Sequence, residues 1–334
     1  MNVYFDFSNL LSFIHSAKDS RYDDCMRMIK DNFDIKFTFT RDAINEACKD
    51  DKDDIMQWFT NMANGKGDVK WESVFPQDPI KLDEIKKRPN NTAVYCLDEN
   101  KRQGLDILIN KGIVIVGKIG SELNAFSGLL VYSNQYTKNV FDKKNVFDKI
   151  DNWDCIKEYT SPCSDIIIVD QYILSSPELY DYNLYKLVKN LAECSKNEKV
   201  NIVIVTLKEI YDKRTKTTLK PNWDKIYTEL RSHVNKKFRP NITFVTATGD
   251  YLEHDRTIFT NYKTFASGDS YNYFNANGDK ITDGRWLHVH SLADSENMKD
   301  ATRLLEDIQK LINDLKSLND SNIMKDKICN FLQF

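Results

Sequence analysis

His254, Arg256, Asn261, Gly268 and Ser270 share one frame, H-x-R-x4-N-x6-G-x-S, in the run Glu253-His254-Asp255-Arg256-Thr257-Ile258-Phe259-Thr260-Asn261 and the Gly268-Asp269-Ser270 that follows. These residue types suit attack on a phosphodiester. An imidazole is a nucleophile toward phosphorus, and a neighbouring guanidinium neutralises the non-bridging oxygens as charge builds on them. Residues i and i+2 of a strand project to the same face, so a strand over His254–Thr260 would aim His254 and Arg256 into one cleft. Asn261 is expected nearby as a hydrogen-bonding orienter and phosphate ligand. Gly268 and Ser270 are expected to leave room for a phosphate and to offer donors. The alternative is a strand histidine satisfied within the fold, in a module that only binds. His288 and His290, two apart beside Trp286, either join this cleft or sit on a strand edge.

The elements that must position these residues are legible from hydrophobic period. Asp165–Val169, Val200–Thr206, Ile242–Thr246, His254–Thr260 and Trp286–Val289 predict strands. Tyr182–Cys194, with Leu184, Leu187, Val188 and Leu191 on one stripe, predicts a helix. Trp223–Val234 and Ala301–Leu318 predict two more. The first half has the same grammar. Strands are expected over Asn2–Phe7, Ile35–Phe39, Ala93–Leu97 and Ile113–Val116. Helices are expected over Leu10–Ala17 (capped by Ser8 or Asn9), Arg41–Cys48 (capped by Thr40) and about Arg102–Asn110. Alternating strands and helices imply a parallel sheet covered on both faces.

The predicted organisation is therefore α/β in two domains: residues 1–133, a polar linker 134–162, a second domain 163–318, and a C-terminal tail 319–334. The linker contains KNVFDK twice in succession, at Lys138–Lys143 and Lys144–Lys149, with Phe141 and Phe147 off any shared helical face.

The His254–Ser270 frame resembles the phospholipase-D superfamily signature, H-x-K-x4-D-x6-G-S/G, with Arg256 in place of Lys and Asn261 in place of Asp. The HDR form, with the upstream Ile166-Ile167-Ile168-Val169-Asp170-Gln171-Tyr172, resembles one branch of it: the C-terminal domain of microtubule-interacting-and-trafficking proteins and its bacterial relatives. The resemblance spans about Ser164 to Leu315. It implies a mixed sheet flanked by helices, His254 as a nucleophile forming a phosphohistidine, and Arg256 and Asn261 as phosphate ligands. It also implies Asp170, Tyr172, Gly268 and Ser270 around the substrate, and no cofactor. Such sites use two motifs. The sequence holds no second H-x-K or H-x-R frame, since His15 is followed by Ser16-Ala17-Lys18. A homodimer or a partner protein would have to complete the site.

The opening Val3-Tyr4-Phe5-Asp6-Phe7-Ser8-Asn9 resembles the first strand of PIN-like ribonuclease domains. Phe39-Thr40-Arg41-Asp42-Ala43-Ile44-Asn45-Glu46 and Val94-Tyr95-Cys96-Leu97-Asp98 resemble later acid-bearing elements of the same domains. This likeness implies a parallel sheet whose Asp6, Glu46 and Asp98 hold Mg2+ or Mn2+, with Asp83 or Glu84 as a further acid. The alternative is a scaffold whose strand-end acids cap helices. Two nuclease-like domains in one chain suggest, by analogy, a nucleic-acid-cleaving effector in bacterial defence against phage.

Composition bounds these readings. The chain has 334 residues, 41% hydrophobic and 29% charged, which fits two globular cores and excludes global disorder. Its formal net charge of −3 gives no basic footprint, so a nucleic-acid site must be local. The short clusters Lys213/Arg214/Lys216 and Lys236/Lys237/Arg239 read as solvated loops and helix ends. Seven scattered cysteines with no CxxC pair and no zinc spacing point to reduced thiols in a cytoplasmic protein. No apolar run approaches membrane-spanning length.

Overall fold

In the computed structural model the residues described are 1–15, 27, 29–30, 33–47, 52–63, 74–87, 93–97, 114–116, 144–145, 147–161, 163–195, 199–212, 216–234, 239–249, 256–281, 285–318 and 320–334. The chain is mixed α/β and forms two compact units, essentially residues 1–140 and 141–334. No helix among the described residues is long and apolar enough to cross a membrane.

The first unit carries a parallel sheet in the order β2-β1-β3-β4, from Asn2–Phe5 (β1), Asp34–Phe37 (β2), Ala93–Cys96 (β3) and Val114–Val116 (β4). The expected strands are present. The expected helix at 102–110 lies outside the described residues. Helices α1 (Phe7–His15), α2 (Arg41–Ala47), α3 (Lys52–Ala63) and α4 (Leu82–Lys87) accompany the sheet. Phe5, Phe13, Phe37 and Trp58 are each at most 1% exposed. The Trp58 indole meets Phe5 and Phe13 edge-on at 5.9 and 6.5 Å. Edge-to-face contacts of this kind add to the area they bury.

The second unit carries an eight-stranded sheet in the order Ile323–Lys325 (β14), Arg239–Ala247 (β10), Lys199–Leu207 (β7), Asp165–Val169 (β6), Arg256–Thr260 (β11), Lys263–Ser267 (β12), Leu287–Ser291 (β13) and Lys144–Asn145 (β5). Its centre, Asp165–Val169 (β6), Lys199–Leu207 (β7) and Arg239–Ala247 (β10), is parallel. Every residue of β6 is buried, which requires cover on both faces. Arg256–Thr260 (β11), Lys263–Ser267 (β12) and Leu287–Ser291 (β13) continue antiparallel from β6. Strand β12 was not anticipated, because the six residues after Asn261 read as a spacer. Helices α5 (Leu184–Glu193), α6 (Trp223–His233) and α7 (Ser295–Leu318) are present, with Ile226 and Leu230 of α6 and Ile308, Leu311, Ile312 and Leu315 of α7 buried. Leu184, Leu187, Val188 and Leu191 of α5 are fully buried. A separate hairpin pairs β8 (Ile210–Asp212) with β9 (Thr217–Leu219).

Two boundaries are corrected. The polar stretch expected as a linker over 134–162 enters the second unit's core from Phe147 onward. Lys144–Asn145 (β5) pairs with β13 at the sheet edge, and a 3-10 segment runs over Trp153–Tyr159. Phe147, Ile150, Trp153 and Ile156 are at most 2% exposed, and their spacing of three is that of a 3-10 helix. The expected tail is likewise part of the fold. Ile323–Lys325 (β14) pairs antiparallel with β10, and Leu332 is buried.

Candidate functional site

Strand β6 ends at Val169, and Asp170 follows at the C-terminal edge of the parallel strands, 1% exposed. One carboxylate oxygen, Oδ1, accepts the backbone N–H of Tyr172 at 2.9 Å. This is an Asx turn, which fixes the chain direction after the strand. The other oxygen, Oδ2, accepts the Ser270 hydroxyl at 2.7 Å and the Tyr271 N–H at 2.8 Å. Asp170 thus fastens the β6 end to the loop that follows β12. Burial pushes its carboxyl pKa up. The Ser270 bond, the two backbone N–H groups and the charge of Arg256 act against that rise.

Arg256 opens β11, in register with Ser267 of β12 and one pair beyond Thr257↔Val169. Its guanidinium donates from Nη1 to the Gly268 carbonyl at 3.3 Å and stands 5.8 Å from the centre of the Tyr172 ring. Its Nε is buried and has no hydrogen-bond partner among the described residues. The Tyr271 hydroxyl donates to the carbonyls of Arg256 and Phe265, fixing the backbone beneath the side chain. The Asn272 side chain donates to the Tyr172 carbonyl at 2.9 Å.

Five expected site residues therefore meet at one sheet edge: Arg256, Asp170, Tyr172, Gly268 and Ser270. His254, the expected nucleophile, lies outside the described residues, as does Asp98. Asn261 stands apart. Five residues along a strand from Arg256 place it about 17 Å away, at the opposite end of β6, with no exposure. Its Oδ1 accepts the N–H groups of Ser164 and Asp165 at 2.8 and 3.1 Å, and its Nδ2 donates to Ser164 Oγ at 3.2 Å. The residue expected as a phosphate ligand is a buried brace for the start of β6.

Two roles change within the site. The Ser270 hydroxyl donates to Asp170 and is not a free donor for a ligand. A Cβ on Gly268 would come within 2.3 Å of Trp286 Nε1, so the glycine admits the indole rather than a phosphate. His288 and His290 do not join the cleft. The register Arg256↔Ser267↔Leu287 puts those three on one face, and alternation sends His288 and His290 to the other. His290 Nδ1 lies 3.2 Å from Asn297 Oδ1.

Tyr271, Asn272 and Arg285 were not anticipated. Arg285 donates to the Ser270 and Asn272 carbonyls at 3.3 and 2.7 Å. These residues sit in irregular chain, where no period marks them. Only the adjacency of Tyr271 and Asn272 to Ser270 is a signal, and Arg285 has none.

In the first unit Asp6 is 2% exposed, and its Oδ1 accepts the Asn9 N–H at 2.8 Å. It is the N-cap of α1, in place of the expected Ser8 or Asn9. Glu46 is exposed on α2. Among the described residues no group of three His, Cys, Asp or Glu side chains could hold a metal ion.

Comparison of the chain with protein-family models, with curated proteins and with solved structures finds no match.

Proposed function

We propose that the second unit recognises a phosphodiester at Arg256 and cleaves it by the phospholipase-D route, acting on nucleic acid. The observation that carries this reading is the convergence of the Asp170–Tyr172 and Gly268–Ser270 segments on Arg256. These segments are far apart in sequence; spacing groups Gly268 and Ser270 with Arg256, and the resemblance alone adds Asp170 and Tyr172. Arg256 presents a cation whose buried Nε–H has no acceptor among the described residues, and a phosphate oxygen is a fitting one.

His254, two residues upstream, attacks phosphorus, forming a P–N bond as the P–O bond to the leaving alkoxide breaks. The leaving oxygen takes a proton from a general acid, and water then hydrolyses the P–N bond and restores the imidazole. A second copy of the chain, bringing its own His254, or a partner protein would supply that acid. Asn261, being remote, takes no part, so the exchange of Asp for Asn at that position does not weaken the nucleophile. A cytoplasmic effector of antiphage defence is the setting this activity suits, by analogy.

The test is hydrolysis of bis(p-nitrophenyl) phosphate and of labelled DNA and RNA by the full chain in EDTA. Cleavage that persists in EDTA and disappears in His254→Ala is expected. Binding of oligonucleotide without any turnover would instead establish a phosphate-binding module. A metal-dependent PIN-like activity of the first unit would be lost in EDTA and in Asp6→Asn. The capping bond of Asp6 weighs against it.

A further inference from the structure

Tyr172 is 37% exposed, one of few large apolar side chains left open among the described residues. It is nevertheless tightly held. Its N–H is bound by Asp170, and its carbonyl accepts from both Asn272 Nδ2 and the Ser175 N–H, each at 2.9 Å. An exposed ring on a backbone fixed at both ends is preorganised for a planar ligand, because little freedom is left to lose on binding. The Arg256 guanidinium covers one side of the ring.

Resting on the phosphodiester reading of Arg256, we infer that Tyr172 is a stacking platform for an unpaired nucleobase, so that the site takes single-stranded nucleic acid. A nucleotide offers both features within one residue: a phosphate for the cation and a π-face for the ring. Stacking tolerates every base, since each has such a face. A base inside a duplex is already stacked on both sides and must be flipped out, at a cost of unpairing. Lipid headgroups and inorganic phosphate have no face to offer, and they leave the ring unused.

The experiment is fluorescence anisotropy with the full chain carrying His254→Ala, so that binding is read without turnover. The probes are a short oligo-dT, the matching oligo-rU, an abasic strand of equal length and a duplex. Tyr172→Ala is expected to weaken oligo-dT and oligo-rU binding by about five- to a hundred-fold and to leave the abasic strand unchanged. Tyr172→Trp is expected to restore binding, and the duplex to bind more weakly than the single strands. If Tyr172→Ala binds oligo-dT undiminished while Arg256→Ala does not, the platform is refuted and the phosphate site stands. Equal loss on the abasic strand refutes it too. If Arg256→Ala binds every probe as its parent does, the phosphodiester reading itself falls.

Discussion

The Ser270 hydroxyl donates to Asp170 across 2.7 Å, joining the chain after β6 to the chain after β12, a hundred residues later. Hydrogen bonds to a charged, buried acceptor are among the stronger ones. Ser270→Ala is expected to destabilise the protein by about 2 kcal/mol and to raise the Asp170 pKa further. A carboxyl whose folded pKa lies above its ordinary value of 3.8 holds its proton longer in the native state. Stability from this group therefore falls as pH rises from that value through the raised one. Urea melts at about pH 4 and about pH 7 should show a steeper fall in Ser270→Ala than in the parent. Equal slopes would mean the hydroxyl does not act on Asp170.

Asn261→Asp separates the brace from the site. The Ser164 hydroxyl already gives its proton to Asp165, so an aspartate at 261 would face a lone pair and stand close to a second buried carboxylate. Asp165 itself is fully buried and accepts from Ser164 Oγ, Asn201 Nδ2 and the N–H and Nδ2 of Asn330. A loss of about 3 kcal/mol is expected, relieved at low pH as the new acid protonates. Phosphate or oligonucleotide affinity of the folded fraction should be unchanged. A selective loss of affinity with stability intact would return position 261 to the binding site.

Lys263 opens β12 and is 3% exposed, and burial pushes its amine down from 10.5 to about 8. The charge of Cys194 acts against that fall. Below about pH 8 the ammonium is charged both folded and unfolded, and burying it costs about 3 kcal/mol. Between that pH and 10.5 the unfolded chain binds more protons, so stability rises with pH. Lys263→Met should therefore be more stable than the parent at neutral pH, with the gain shrinking toward about pH 10. Denaturant midpoints at the two pH values measure it, and a pH-independent difference would contradict the buried cation.

Gly268→Ala forces the Trp286 indole aside, since the new methyl would meet Nε1 at 2.3 Å and Cε2 at 2.7 Å. Overpacking of this kind costs about 1–3 kcal/mol. A lower melting temperature is expected, with a change in tryptophan emission that is absent when Trp286 is first replaced by Phe. Retention of the parent's melting temperature and spectrum would mean that the loop yields without strain.

Much of the second unit's fold, and the grouping at its sheet edge, was legible in the sequence. The apolar runs of β6, β7 and β10 and the stripes of α5, α6 and α7 are period signals, and period is local. The grouping of Asp170 and Tyr172 with Arg256 is an expectation of the resemblance, and strand order accounts for it physically. Asp170 ends one strand and Arg256 begins its antiparallel neighbour, so matching strand lengths put them side by side.

What lay beyond the sequence depends on partners remote in the chain. Asn261 read as a ligand because it is polar and in frame, but a five-residue strand moves it to the far end of the sheet, where Ser164 and Asp165 need an acceptor. Asp6 is expected as a metal ligand, and the structure gives one of its carboxylate oxygens to the start of α1 as a cap. Residues 147–161 read as linker because their composition is polar. The buried residues recur every third position, which only 3-10 turns packed against α5 make into one face. Residues 323–325 read as tail, because a three-residue strand has no signature until β10 offers it an edge. The sequence alone determined which local elements form and which residue types could do the chemistry. Tertiary structure decided which polar groups face a ligand and which are consumed inside, because a hydrogen-bond donor is free or engaged only with respect to neighbours that folding supplies.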